Sequence, residues 1–133
     1  MKEKTLGLTI GAILAAVTIA ITLVLPKANA LQFFTALLMG IAAVYIGFTF
    51  SNAGRKQDII IEIANITLYI VLVLLSLVIT PYFLVAGYFW HGVWDIIHHK
   101  KVNLVQTKVP EWYIYCCILY DWVIGIFILV WMI

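Results

Sequence analysis

The chain has 133 residues, of which 65% are hydrophobic and 11% charged, and its formal net charge is +2. A soluble domain carries roughly 25% charged residues, so this composition excludes a soluble enzyme, a disordered linker and a disulfide-stapled secreted module. The small net charge and the lack of a glycine-rich phosphate loop argue against binding of nucleic acid or nucleotide. The sequence therefore predicts one all-α domain, residues 1–133, folded as a helix bundle in a lipid bilayer.

Five apolar stretches predict transmembrane helices, each of which needs about 20 residues to cross the hydrocarbon core. The third and fourth stretches are continuous, and Thr80-Pro81 offers the break between them because proline interrupts helical hydrogen bonding. Pro110 precedes the last stretch, at a position where proline favours the start of a helix. The predicted spans are residues 6–25, 30–50, 58–79, 81–99 and 111–133.

The first stretch has two alternative interpretations. Basic residues before it and Ala28-Asn29-Ala30 after it are typical of a cleaved signal peptide. Its apolar run is longer than the about 7–15 residues of such signals, so we expect a retained span. Gly7, Gly11 and Ala15 form a stripe of small residues on it, which favours close helix packing or self-association into a homo-oligomer.

Basic residues predict the orientation of the bundle. The N-terminus and the loops 51–57 and 100–110 would share one side of the membrane, and they hold seven of the eight lysines and arginines. The other side holds only Lys27. Because cytoplasmic loops are rich in lysine and arginine, we expect a cytoplasmic N-terminus, an external C-terminus and a location in the plasma membrane. The seven residues are Lys2, Lys4, Arg55, Lys56, Lys100, Lys101 and Lys108.

Ionisable side chains inside three spans predict a polar site, because each is costly in lipid. At about 100° per residue, the four on span four fall on one face. With a rise of about 1.5 Å per residue, the predicted directions place the polar groups of spans three, four and five in the cytoplasmic half of the membrane. These groups are His91, Asp95 and His98 on span four, Glu62 and Asn65 on span three, and Asp121 on span five. His99 is the fourth residue on the face of span four, and Tyr69 continues the polar stripe of span three.

Imidazole and carboxylate groups that converge are typical ligands of zinc or non-haem iron. We predict a divalent metal, zinc or iron, held by His91, Asp95, His98 and His99. A further carboxylate would take a proton from metal-bound water; the candidates for this catalytic role are Glu62 and Asp121, with Asn65 and Tyr69 as supporting polar groups.

Each of these groups also has a purely structural interpretation. His98 and His99 adjoin Lys100 and would then be interfacial residues. His91 and Asp95 would form a buried pair that locks two helices, and Glu62 with Asn65 would form a hydrogen-bonded clasp between helices.

The segment from His91 to His99 resembles known sequence boxes. His98-His99, with His91 upstream, resembles a histidine box of the membrane fatty-acid hydroxylases and desaturases. The whole chain resembles small bacterial multi-pass membrane proteins of unknown function that carry a Trp-Asp-x-x-His-His box, formed here by Trp94, Asp95, His98 and His99.

A second resemblance is to the membrane hydrolases that include the alkaline ceramidases. It implies one zinc ion held by His91, His98 and His99, with Asp121 and Ser76 as assisting residues. The substrate implied is a lipid.

Three functions remain open from the sequence. The first is a metal-dependent enzyme, a hydrolase or hydroxylase, that acts on a lipid or another membrane-dissolved substrate entering between spans three, four and five. The second is a proton or cation relay, or a transporter subunit, with a path through Glu62, Tyr69, Ser76 and Thr80. The third is a structural or assembly subunit without catalysis, whose polar residues hold helices together.

Overall fold

The computed structural model describes residues 2–52, 54–100, 102 and 104–132, with residue 132 described by its backbone alone. These residues form five α-helices and, within the ranges just given, no β-strand, which confirms the predicted all-α class. Lys101 and the predicted end of the last span at Ile133 lie outside the described residues. The helices are α1 (Lys2–Leu23), α2 (Lys27–Asn52), α3 (Lys56–Val78), α4 (Tyr82–His98) and α5 (Glu111–Met132).

The chain breaks between α3 and α4 at the predicted place. The backbone N–H groups of Ile79 and Thr80 both bond the carbonyl of Leu75, which closes the last turn of α3. Pro81 then stands at the N-cap of α4, where its missing N–H costs nothing. The turn is only three residues long, so α4 folds directly back along α3.

Four helices, α1, α2, α3 and α5, are long and apolar enough to cross a membrane. The helix of the fourth predicted span, α4, has 17 residues. It reaches about 26 Å, which is shorter than a hydrocarbon core of about 30 Å. Length and composition therefore support a membrane protein with four of the five predicted spans.

Contacts between the helices fix their relative directions. The start of α1 meets the start of α5, where Gly7 approaches Trp112 and Gly11 approaches Cys116, so these helices are parallel. In contrast, α4 runs antiparallel to α5, since His99 contacts Tyr115 while Phe89 contacts Gly125.

α4 also runs antiparallel to α3, because Trp94 contacts Glu62 and Trp90 contacts Asn65. The helix ends therefore gather at two opposite ends of the bundle. We call one of them the lysine-rich end; it contains the starts of α1, α3 and α5 and the ends of α2 and α4. All the described basic residues except Lys27 lie there.

The predicted stripe of small residues on α1 is used within the chain. A Cβ added to Gly11 would lie 2.5 Å from the Cys116 carbonyl oxygen of α5, and Gly7 approaches the Trp112 carbonyl as closely. Ala15 is buried in the same seam. The close packing is confirmed, and the stripe offers no surface to a second copy; self-association itself stays a prediction.

The central helix is α4, which contacts α2, α3 and α5. Its buried face joins an apolar core that fills the half of the bundle away from the lysine-rich end. Large apolar side chains on the other helices point outward, including Ile13, Ile60, Leu74 and Val130. This arrangement places apolar groups on the outside of the bundle and polar groups around α4, which is where the candidate site lies.

Candidate functional site

Three ionisable side chains from α4 and α5 meet in the interior: His91, Asp95 and Asp121. All three are 0% exposed, and one possible ligand atom from each lies within 4.8 Å of the others. His91 Nδ1 lies 2.8 Å from Asp121 Oδ2 and 3.3 Å from Asp95 Oδ2. We call this group the triad.

The triad forms because α4 and α5 pack closely around it. Gly92, next to His91, leaves room for the Trp122 side chain, and Gly125, one turn after Asp121, leaves room for the Phe89 ring. The antiparallel pairing brings residue 91 of α4 level with residue 121 of α5. The sequence-based prediction that His91, Asp95 and Asp121 share a site agrees with this geometry.

Several polar atoms of the triad make no hydrogen bond among the described residues. They are His91 Nε2, Asp95 Oδ2 and Asp121 Oδ1. Buried polar atoms are almost always paired, and an unpaired buried carboxylate oxygen is costly. The triad therefore has the capacity to hold a further positive group, either a proton or a metal ion.

Sequence reasoning missed Tyr45 of α2, which donates a hydrogen bond to Asp95 Oδ1. Its ring also packs 5.4 Å from the His91 ring and 5.1 Å from the His98 ring, measured between centroids. The spacing of Leu38, Ala42 and Tyr45 at helical intervals could have predicted that Tyr45 lies on the buried face of α2.

Glu62 and His98 form a second buried pair, separate from the triad. His98 Nε2 lies 2.6 Å from Glu62 Oε1, and the Trp94 indole donates to Glu62 Oε2 at 3.1 Å. His98 Nδ1 lies 2.9 Å from the Trp94 carbonyl oxygen. Because a carbonyl only accepts, Nδ1 carries a proton, and one more proton lies between Nε2 and the carboxyl group of Glu62.

The structure therefore groups the predicted ligands differently from the sequence analysis. Both ring nitrogens of His98 already have partners, so a metal would have to displace one of them. His99 turns towards α5, where its Nε2 lies 3.0 Å from the Tyr115 hydroxyl. Of the four ligands predicted on α4, His91 and Asp95 meet Asp121, whereas His98 and His99 do not.

The supporting polar residues of α3 lie on its buried face, as predicted. Asn65 accepts a hydrogen bond from the Trp90 indole at 2.8 Å, and the Tyr69 ring packs 5.3 Å from that of His91. Ser76 instead bonds the Val73 carbonyl near the other end of the bundle. Because Val73 between them belongs to the apolar core, the predicted polar path from Tyr69 to Ser76 is interrupted.

Two ion pairs lie at the lysine-rich end of the bundle. Hydrogen bonds from Arg55 to Asp58 raise the pKa of the guanidinium, and Lys100, paired with Glu111, has a raised pKa for the same reason. These pairs fix the ends of α3 and α5 and lie apart from the triad.

Comparison with protein families gives one match. The profile described as "Family of unknown function (DUF6010)" matches residues 7–132, which is nearly the whole chain. The chain belongs to this family. Neither the comparison with curated proteins nor that with solved structures gives a match, so the resemblances to hydroxylases, desaturases and ceramidases remain predictions.

Proposed function

We propose that this member of the DUF6010 family is an integral membrane protein that binds one divalent metal ion, zinc or iron, at His91, Asp95 and Asp121. The observation that carries the proposal is the convergence of these three fully buried side chains, which retain unpaired ligand atoms. One imidazole with two carboxylates is a donor set that suits both metals.

A divalent metal ion would satisfy the charge balance of the triad. Two carboxylates beside one protonated imidazole leave a net charge of −1, and burial of such a charge costs several kcal/mol. A divalent cation beside a neutral imidazole brings the same group to zero without an additional proton. Tyr45, which donates to Asp95, would hold that carboxylate in orientation, as second-sphere groups do at metal sites.

The function proposed for the triad is ion binding. His91, Asp95 and Asp121 line none of four well-formed cavities among the described residues. Glu62, predicted as a catalytic base, has both carboxylate oxygens bonded to His98 and Trp94. Catalysis on a lipid-like substrate would require the bundle to open.

A second candidate function, a proton relay, is favoured by one observation. The Tyr45 ring lies between His91 and His98, so the triad and the Glu62–His98 pair are neighbours. Two carboxylates around one ring nitrogen can also share a proton instead of a metal. Absence of metal from the purified protein would favour this alternative.

Elemental analysis of detergent-purified protein tests the metal proposal. We expect about one zinc or iron per chain in the wild type, and a fall of at least about ten-fold in His91→Ala and in Asp121→Asn, since even second-sphere changes cost that much. His99→Gln is the matched control and should retain its metal, because His99 lies outside the triad. Unchanged metal content in both triad variants would contradict the proposal.

We further propose that all five helices cross the plasma membrane, with the lysine-rich end in the cytoplasm. Because α4 runs antiparallel to α3 and α5, it returns the chain to that end, and local thinning or flanking polar residues accommodate a short span. The positive-inside rule then places the N-terminus inside and the C-terminus outside.

Labelling of single cysteines tests this topology in a Cys116→Ala, Cys117→Ala background. In intact cells, a membrane-impermeant maleimide should label Lys27→Cys and should label Lys108→Cys only after permeabilisation, because these positions lie at opposite ends of the bundle. Labelling of Lys108→Cys from outside would reverse the proposed orientation.

A further inference from the structure

A loop at the lysine-rich end covers a cavity that the triad does not use. The loop before α5 is tied to the turn between α2 and α3, because the Lys108 N–H bonds the Asn52 carbonyl at 3.3 Å. The Gln106 backbone bonds Asp58, and Gln106 also packs against Gly54. These contacts anchor the loop on the turn between α2 and α3, and a cavity lies between loop residues and the end of α4.

The cavity beneath this loop has a volume of about 390 Å³, and Thr107, Lys108, His98, His99, Lys100 and Glu111 are among its lining residues. That volume lies within the range of about 300–1,000 Å³ typical of small-molecule pockets. Glu111 is paired with Lys100, so their charges cancel. Lys108 leaves the lining with a net positive charge.

Thr107, one of the lining residues, carries a buried polar group without a partner among the described residues. The Thr107 residue is 3% exposed, and its hydroxyl oxygen makes no hydrogen bond among the described residues. A buried hydroxyl in that state is uncommon and indicates a missing partner. The partner would be an acceptor if the hydroxyl donates, and the ammonium of Lys108, which lines the same cavity, favours an acceptor that is an anion.

We propose that this cavity binds a phosphate group, carried by a lipid headgroup or by a small soluble phosphate. Lysine ammonium groups bind phosphate as point charges, and the hydroxyl of Thr107 would donate to one of its oxygens. The cavity lies at the end of the bundle where the basic residues gather, which is where headgroup phosphates occur if the helices cross a membrane. The proposal does not depend on metal binding by the triad.

Native mass spectrometry of the detergent-purified chain tests the proposal with phosphatidic acid and with diacylglycerol of the same acyl chains, which lacks the phosphate. We expect saturable binding of phosphatidic acid only. Thr107→Val, which keeps the size and charge of the side chain, should weaken it about ten-fold, the value of one hydrogen bond to a charged group. Lys108→Gln should weaken it to a similar extent.

Lys56→Gln is the matched control, because Lys56 is exposed at the same end but does not line the cavity; its affinity should equal that of the wild type. A second experiment measures the thermal unfolding temperature with and without inorganic phosphate. If phosphate stabilises the wild type but not Thr107→Val, the cavity binds free phosphate. If only phosphatidic acid binds, the ligand is a lipid headgroup. Equal affinity of Thr107→Val and the wild type, or equal binding of diacylglycerol, would overturn the proposal.

Discussion

Replacement of His98 by leucine should lower the free energy of unfolding by about 3–5 kcal/mol, the usual cost of leaving one member of a buried ion pair alone. Glu62 and His98 are both fully enclosed at the side chain, and Nε2 of His98 is the partner of Glu62 Oε1 at 2.6 Å. Without the imidazole, the carboxyl group either keeps an unpaired charge or takes up a proton. Both states are less favourable than the pair. Unfolding by titration with sodium dodecyl sulfate measures the change.

Two further variants distinguish the effect of breaking the Glu62–His98 pair from the effect of losing a packed side chain. In the double variant Glu62→Met, His98→Leu both charges are absent, and we expect most of the stability to return because apolar replacement of a whole buried pair is often neutral. His99→Leu is the neighbouring control and should have a small effect, since His99 is half-buried. If the double variant were as unstable as the single one, the pair would not hold α3 against α4.

Replacement of Gly11 by leucine should prevent α1 from docking on α5. A Cβ at this position would lie 2.5 Å from the backbone oxygen of Cys116, and a backbone atom cannot move aside as a side chain can. The helices must separate, and overpacking of this kind costs about 3 kcal/mol, with further loss from the broken seam. The same unfolding measurement should show a clearly less stable protein.

Gly40 provides the matched control for this substitution. It lies on α2 with nothing within 4 Å of its added Cβ, so Gly40→Leu should leave the free energy of unfolding near that of the wild type. Equal destabilisation by both substitutions would indicate a general effect of leucine on helix insertion. Equal stability of Gly11→Leu and the wild type would contradict the tight seam between α1 and α5.

The helices could be predicted because hydropathy and helix breakers are local signals. Apolar runs located all five helices to within a few residues, and Pro81 marked the turn between α3 and α4. The polar stripe on α3 also indicated correctly which face is buried, because polar side chains avoid lipid. The predicted fourth span, residues 81–99, exceeds α4 by one residue at each end.

The grouping of the site residues was predicted only in part. The sequence-based prediction placed all of them in one half of the membrane and did not compare their distances from the helix ends. At about 1.5 Å per residue, His91 lies about 12 Å from the end of its span, and Asp121 lies about 15 Å from the start of its own. Glu62 lies only about 6 Å from Asp58, nearer to the level of His98. These depths place His91 with Asp121 and Glu62 with His98, as the triad and the separate Glu62–His98 pair do in the structure.

Partners that depend on the rotation of each helix could not be predicted. Tyr45 comes from a span that carries no acidic, basic or histidine residue within its apolar run. Its spacing indicates a buried face but does not indicate that this face meets Asp95. The indole partners of Glu62 and Asn65 likewise follow from the packing of α4 against α3. Tryptophan in a membrane helix usually indicates a position at the membrane interface, so its sequence position does not predict a hydrogen bond from its indole N–H to a buried side chain.

X-ray absorption at the zinc and iron edges of the purified wild-type protein tests the central claim most directly, because it reports which atoms surround the metal. We expect about one metal per chain, with a first shell of nitrogen and oxygen at about 2.0–2.2 Å and the scattering pattern of a single imidazole. A sulfur shell at about 2.3 Å would assign the metal to Cys116 and Cys117 instead. That result, or protein free of metal, would contradict a metal site at His91, Asp95 and Asp121.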